Sequence, residues 1–155
     1  MKMRTVGVIS DTHGLLRPEA LAALEGSDEI VHAGDIGDAA ILERLGEIAP
    51  VAAVRGNADR EAWALKLPHA EFLEVEGVSL YVLHVLAKLD LAPKAAGIRA
   101  VIHGHSHVPR QEEKNGVLYF NPGSAGPKRF DLPVTLARLI VDGGELRGEI
   151  VELVI

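Results

Sequence analysis

The 155-residue chain contains no cysteine. That absence excludes a disulfide framework, thiolate metal sites, iron–sulfur clusters and a cysteine nucleophile. Basic residues are in deficit, 16 Lys and Arg against 22 Asp and Glu, for a formal net charge of −6. The imbalance argues against a nucleic-acid binder that works through a basic face. No apolar run reaches the roughly 18 residues of a transmembrane helix, so no membrane association is expected. Met-Lys-Met-Arg leads straight into a strand-like run without the pattern of a cleaved signal peptide, and a cytoplasmic location is the expectation. Low-complexity tracts, charge blocks, internal repeats and linkers are missing too. At roughly 100–200 residues per domain, residues 1–155 make a single domain. What is present is an apolar fraction of 48%, ample for a packed core, and seven histidines, four of them between His84 and His107.

The first third alternates strand and helix. Arg4 to Ser10 reads as a strand, Pro18 to Leu24 as a helix with proline in its first turn, and Glu29 to Ala33 as a second strand. Asp38 to Ile48 reads as a helix capped by Asp38, with Ile41, Leu42, Leu45 and Ile48 on one face. Val51 to Arg55 is a third strand. This order implies a parallel sheet with right-handed crossovers. The remainder is richer in strands: 71–76, 78–84, 99–103, 108–113, 117–120, 134–141 and 145–154, with a short helix over 92–96. Asn115-Gly116 marks a type I′ hairpin and Asp142-Gly143-Gly144 a second one. An α/β first half thus joins a more antiparallel second half, best buried as two stacked sheets with helices outside.

Several apolar strands run into polar clusters. VGVIS ends in Asp11-Thr12-His13-Gly14, EIVHA in Gly34-Asp35, VAAVR in Gly56-Asn57-Ala58-Asp59, LYVL in His84, and AVI in His103-Gly104-His105-Ser106-His107. Ligands of open α/β sheets bind beyond the carboxyl ends of the strands. Asp11, His13, Asp35, Asn57, His84, His105 and His107 at one edge would make a metal site. Carboxylate, amide oxygen and neutral imidazole suit Mn²⁺, Mg²⁺, Fe, Zn²⁺ or Ni²⁺. Asp11 and His13 share a side if the backbone stays extended, and so do His105 and His107. Seven ligands exceed one tetrahedral zinc and suit two ions sharing a carboxylate. Gly14, Gly34, Gly56 and Gly104 each adjoin a candidate ligand, where glycine allows close backbone approach.

The ordered set D-x-H (Asp11, His13), G-D (Gly34, Asp35), G-N-x-D (Gly56 to Asp59), a lone His84 after a strand, and G-H-x-H (Gly104 to His107) resembles the calcineurin-like metallophosphoesterase superfamily. The match runs from about Arg4 to Arg129. The size and the segment Asn121-Pro122-Gly123-Ser124 look like its compact bacterial and archaeal phosphodiesterase branch, which is related to the scaffold subunit of retromer. The resemblance implies an α/β, four-layer αββα sandwich and a dinuclear centre, with manganese the leading metal. Asp11, His13 and His107 would hold one ion, Asp35 would bridge, and Asn57, His84 and His105 would complete the second. A metal-bridging hydroxide would attack phosphorus in line. The substrate implied is a small phosphodiester, and a homodimer or homotetramer is common in the family.

Two positions depart from the family. Its frequent G-N-H is Gly56-Asn57-Ala58 here, which removes a candidate general acid worth about 10²–10⁴-fold. Esters with good leaving groups should therefore react best. The usual H-G is His84-Val85. Asp35, Asn57 and Asp59 are the candidate catalytic residues, Asp59 through orienting His13 or another ligand. Asn57, Arg60 and Arg129 are the candidate substrate contacts, arginine suiting phosphate. His32 and His103 read as buried structural residues or as partners that orient a ligand, His69 as a surface residue, and Asn121 to Ser124 as a turn whose backbone could also support the ligand loops. The rival readings are a non-catalytic interaction scaffold on the same fold and a phosphomonoesterase.

Overall fold

A computed structural model describes residues 3–155. β1 (Arg4–Ile9), α1 (Pro18–Leu24), β2 (Glu29–His32), α2 (Ala39–Gly46) and β3 (Val51–Ala53) follow the expected order. Asp38 caps α2, its Oδ1 accepting the Ala40 N–H at 2.9 Å. β4 (Ala70–Val75), β5 (Val78–Leu83), β6 (Ile98–Ile102), β7 (Arg110–Lys114), β8 (Val117–Asn121), β9 (Thr135–Asp142) and β10 (Glu145–Glu152) complete the set. Two five-stranded sheets form, in the orders β10-β9-β1-β2-β3 and β4-β5-β6-β8-β7.

The second sheet differs from the antiparallel expectation. Its central strands β5, β6 and β8 run parallel, and only the edge hairpins β4–β5 and β7–β8 are antiparallel. Parallel pairing needs a long return, and residues 84–97 provide it between β5 and β6. The expected 92–96 helix is a single turn, held by Ala96 N to Ala92 O and Ile98 N to Pro93 O. So short a segment, bounded by Pro93 and Gly97, cannot sustain a helix.

Period-two alternation places one face of every central strand between the sheets. Val6, Val8, Val31, Leu80, Val82, Ile102, Phe120 and Leu139 form that core. Ile9 and Ile30, on the opposite face of the first sheet, pack with Leu24 of α1 and Ile41 and Leu45 of α2. Gly7 faces α1 so closely that a Cβ would stand 2.6 Å from Leu24 Cδ2. The outer face of the second sheet, with Tyr81, Leu83 and Val101, is covered by Leu86, Leu89 and Leu91. That layer contains a 3-10 helix over Leu86–Lys88 in place of a longer helix. No helix among the described residues is long and apolar enough to cross a membrane.

Candidate metal centre

The loops after β1, β2, β3, β5 and β6 meet at one edge of the sandwich. Asp11 N donates to Gly34 O at 3.0 Å, His13 N to Asp35 O at 2.9 Å, and Gly104 N to His84 O at 3.0 Å. The backbone at the ligand positions is not extended. Asp11, His13, Asp35, His105 and His107 have φ of 55°, 45°, 57°, 74° and 65°. The two D-x-H and H-x-H pairs therefore converge through left-handed turns, correcting the extended-chain expectation. Each such conformation costs about 1–3 kcal/mol, and the loop-to-loop hydrogen bonds hold it. Gly56 and Gly104 leave no room for a side chain: a Cβ would lie 2.1 Å from Asp35 N and 2.2 Å from Ser10 Oγ, respectively.

The donor atoms converge tightly. His13 Nε2 and His107 Nε2 face each other at 3.3 Å. Asp11 Oδ1 lies 3.3 Å from His107 Nε2, 3.7 Å from His13 Nε2 and 3.8 Å from His84 Nε2. Asp35 Oδ2 lies 3.1 Å from His84 Nε2 and 3.7 Å from His13 Nε2, between the two sides of the cluster. Asp11, His13 and His107 form one group of donors within 4.8 Å of one another, and Asp11, Asp35 and His84 form another. Asn57 Oδ1 and His105 Nδ1 stand 3.1 Å apart, and the His84 and His105 rings meet at 5.4 Å between centroids. Asp11 Oδ1 and His84 Nε2 are buried without a hydrogen-bond partner. Buried polar atoms are rarely left so, and a cation among oxygen and imidazole donors satisfies them. The residues present fit divalent metal.

The protonation states suit that role. Burial pushes the Asp11 carboxyl up, but His13, His84 and the Ser10 hydroxyl outweigh it and hold it below the usual carboxylate range. For Asp35 burial is likewise overcome by His84 and the Ala58 N–H. Burial, with the charges of Arg129 and His13, pushes His107 down and leaves it a neutral donor, although Asp11 opposes this. His84 Nδ1 donates to Ala33 O at 2.7 Å, which points Nε2 into the cluster. Burial would lower His84, but Asp35 and Asp11 raise it, so a metal must displace a proton there.

Other positions fall differently. Asp59 does not reach His13. Its buried carboxylate accepts the N–H groups of Ile36, Gly37 and Gly56 at 2.9 to 3.2 Å. It ties the Asp35 loop to the Asn57 loop, so of the expected orienting roles it has the one toward Asp35 and Asn57 and not the one toward His13. Ala58 serves through its backbone, donating to Asp35 Oδ1 at 2.9 Å. Arg129 is exposed and its charge reaches His107, whereas Arg60 is exposed with no ion pair among the described residues. His32 is buried, with Nδ1 accepting from Gly34 N and Nε2 set against Thr12 Oγ1, which donates to Ile36 O.

Three supporting side chains lie outside the candidate set. Ser10 Oγ donates to Asp11 Oδ2 at 2.6 Å. Asn121 Nδ2 donates to Gly104 O at 3.1 Å, and Ser124 Oγ to Asp11 O at 2.9 Å. The NPGS segment thus braces two ligand loops as well as turning. Its polar residues beside an apolar strand were the available signal.

Residues 3–144 match the calcineurin-like phosphoesterase superfamily domain. The chain is 37% identical over 140 residues to the probable metallophosphoesterase MJ0623 of Methanocaldococcus jannaschii, covering 82% of this chain and 71% of that protein. It is 29% identical over 155 residues to phosphodiesterase YfcE of Escherichia coli K12, covering 84% of each. The crystal structure of Chaetomium thermophilum Vps29 shares the fold, with a TM-score of 0.78, 18% identity and 97% of each chain covered.

Proposed function

The chain belongs to the calcineurin-like phosphoesterase superfamily, and on that footing we propose that it is a dinuclear metal-dependent phosphodiesterase acting on small phosphodiesters. The observation that carries the reading is the convergence of Asp11, His13, Asp35, His84 and His107 on one cluster, in which the buried Asp11 Oδ1 has no hydrogen-bond partner. In this reading Asp11, His13 and His107 would hold one ion, Asn57, His84 and His105 the other, and Asp35, between them, would serve both. Mn²⁺ is the leading metal, with Ni²⁺, Mg²⁺, Fe and Zn²⁺ also matched to these donors. The bound ions supply Lewis acidity, lowering the pKa of water and neutralising charge on phosphoryl oxygens.

The chain's own groups do the rest. Asp11, Asp35 and His84 are buried, whereas His105 and Asn57 are exposed, so the ester approaches from the Asn57 side. Asn57 turns Oδ1 toward His105 and leaves its amide N–H groups for a phosphoryl oxygen. Arg129, exposed near His107, adds positive charge for the same oxygens. With Ala58 in place of an imidazole, no side chain there protonates the leaving oxygen, so the leaving group must depart as a stable anion. The phosphodiester preference draws on the phosphodiesterase relatives.

The test is hydrolysis of bis(p-nitrophenyl) phosphate with Mn²⁺. Activity is expected, with loss in EDTA and in Asp35→Asn and His107→Ala. Undiminished turnover in EDTA would sink the proposal. A faster rate on p-nitrophenyl phosphate at equal metal would make it a phosphomonoesterase. Metal binding without turnover of either ester would favour the scaffold reading.

A further inference from the structure

A cavity of about 380 Å³ opens beside the candidate metal centre and shares Asn57 and His84 with it. Its remaining wall comes from residues with no part in holding metal. Ala70 and Leu83 are register partners in the β4–β5 hairpin, and Tyr81 lies on the same outer face of the sheet, two residues from Leu83. These three make an apolar floor. Arg55, Lys88 and Asp90, with His69 beside Arg55, supply the polar part of the wall. The Arg55 backbone is anchored, its N donating to Pro68 O at 2.8 Å, and its guanidinium Nη2 faces His69 Nε2. Burial, and then the nearby Asp90 charge, push the Tyr81 phenol up, so its O–H stays protonated.

The geometry points to this cavity as the seat of one ester substituent of the phosphodiester, a planar ring system with hydrogen-bonding edges and about the size of a nucleoside. The inference rests on the phosphodiesterase reading, since the shared residues Asn57 and His84 would lie beside the phosphoryl group. The volume falls within the roughly 300–1,000 Å³ of small-molecule sites, in which an apolar lining carries a few placed polar groups. A flat ring covers the floor of Ala70, Tyr81 and Leu83. Arg55 and Lys88 donate to ring carbonyls and nitrogens, and Asp90 accepts from an amino or hydroxyl group. An aliphatic substituent would cover those three charged groups without pairing them, at a desolvation cost.

Two measurements decide it. In calorimetry with Mn²⁺ present, thymidine 5′-monophosphate should bind at least about tenfold more tightly than methyl phosphate, with phenyl phosphate between them. Ala70→Trp fills the floor, and Lys88→Ala removes a donor from an exposed position that does not threaten folding. Each should shrink the gap to under about threefold, while methyl phosphate binding follows the metal. Equal binding of the three probes to the native chain overturns the proposal. Equal binding of the thymidine and phenyl compounds overturns its hydrogen-bonding part. The second measurement compares p-nitrophenyl esters of thymidine 5′-monophosphate and of methyl phosphate. The kcat/KM ratio should favour the nucleoside ester and fall in Ala70→Trp. If neither ester is hydrolysed but the binding preference persists, the cavity stands as a nucleotide site and the phosphodiesterase reading falls alone.

Discussion

Asp11 and His105, 94 positions apart, are joined by a hydrogen bond from the His105 backbone N–H to Asp11 Oδ2 at 3.1 Å. The Ser10 hydroxyl donates to the same oxygen. One carboxylate oxygen therefore links the two halves of the site, and the other, Oδ1, is left toward His107, His13 and His84. Asp11→Asn separates these tasks. The amide oxygen must take the structural bonds, which turns an NH₂ toward the imidazoles. Metal content should fall below two ions per chain and activity should fall by about 10²-fold or more. The melting temperature in EDTA should stay near that of the parent. Elemental analysis and thermal unfolding check both parts, and full metal content would contradict the assignment.

Gly56 and Gly46 predict opposite responses to one substitution. A Cβ at Gly56 would collide with Asp35 N and Oδ1, both at 2.1 Å, whereas one at Gly46, in α2, meets nothing within 4 Å. Gly56→Ala should cost at least about 1–3 kcal/mol and weaken metal binding. Gly46→Ala should gain about 0.5–1 kcal/mol by favouring the helix. Urea denaturation of the two variants gives the sign directly.

Asp59 is predicted to act on metal affinity without touching metal. Asp59→Ala leaves the N–H groups of Ile36, Gly37 and Gly56 without their acceptor. A loss of about 3 kcal/mol or more is expected, since charged hydrogen bonds are worth about 1.5–3 kcal/mol each. Metal affinity should drop about 10–100-fold, as for loss of an outer partner. Denaturation in EDTA separates the first effect from the second, which a metal titration reads. Unchanged affinity would show that the two loops hold their positions unaided.

His32 gives a pH dependence with a definite sign. Full burial lowers it from 6.5 to about 4, and the charges of Asp11 and Asp59 oppose this without cancelling it. Between those values the unfolded chain binds a proton that the folded chain does not. Its contribution to stability is complete above pH 6.5 and is lost progressively as pH falls toward 4, by ~3 kcal/mol in all. His103, lowered to about 4 by the same cause, adds a slope of the same sign, so the His32 share is the difference in urea midpoint between the parent chain and His32→Gln, in EDTA, from pH 8 to 4. His32→Gln should flatten the slope by about one proton. An unchanged slope in that variant would assign the acid sensitivity elsewhere.

Much of the architecture was written in short stretches of the chain. Val6 and Val8 alternate with residues facing α1, Asp38 caps the helix that follows it, and Asn115-Gly116 turns a hairpin with φ of 53° and 78°. These features depend on neighbours a few residues away, so composition and periodicity carry them. The identities of the candidate metal donors were equally legible, because an Asp, Asn or His at the end of an apolar strand is a local event. Their meeting at one edge was expected too, but the backbone geometry that brings their donor atoms together was not. Parallel pairing of β5, β6 and β8 and the left-handed turns at Asp11 and His105 arise from contacts across the sandwich. The same holds for Asp59, whose partners lie 3 to 23 positions away, and for Ser124, which holds Asp11 across 113. The sequence by itself determined which side chains could bind metal and which strands would deliver them. The tertiary structure alone decided which oxygen of Asp11 faces the imidazoles, what Asp59 supports, and that a cavity lies beside Asn57. Sequence periodicity reports which face of an element is apolar, but a hydrogen bond between two loops exists only once packing has brought both of them to the same edge.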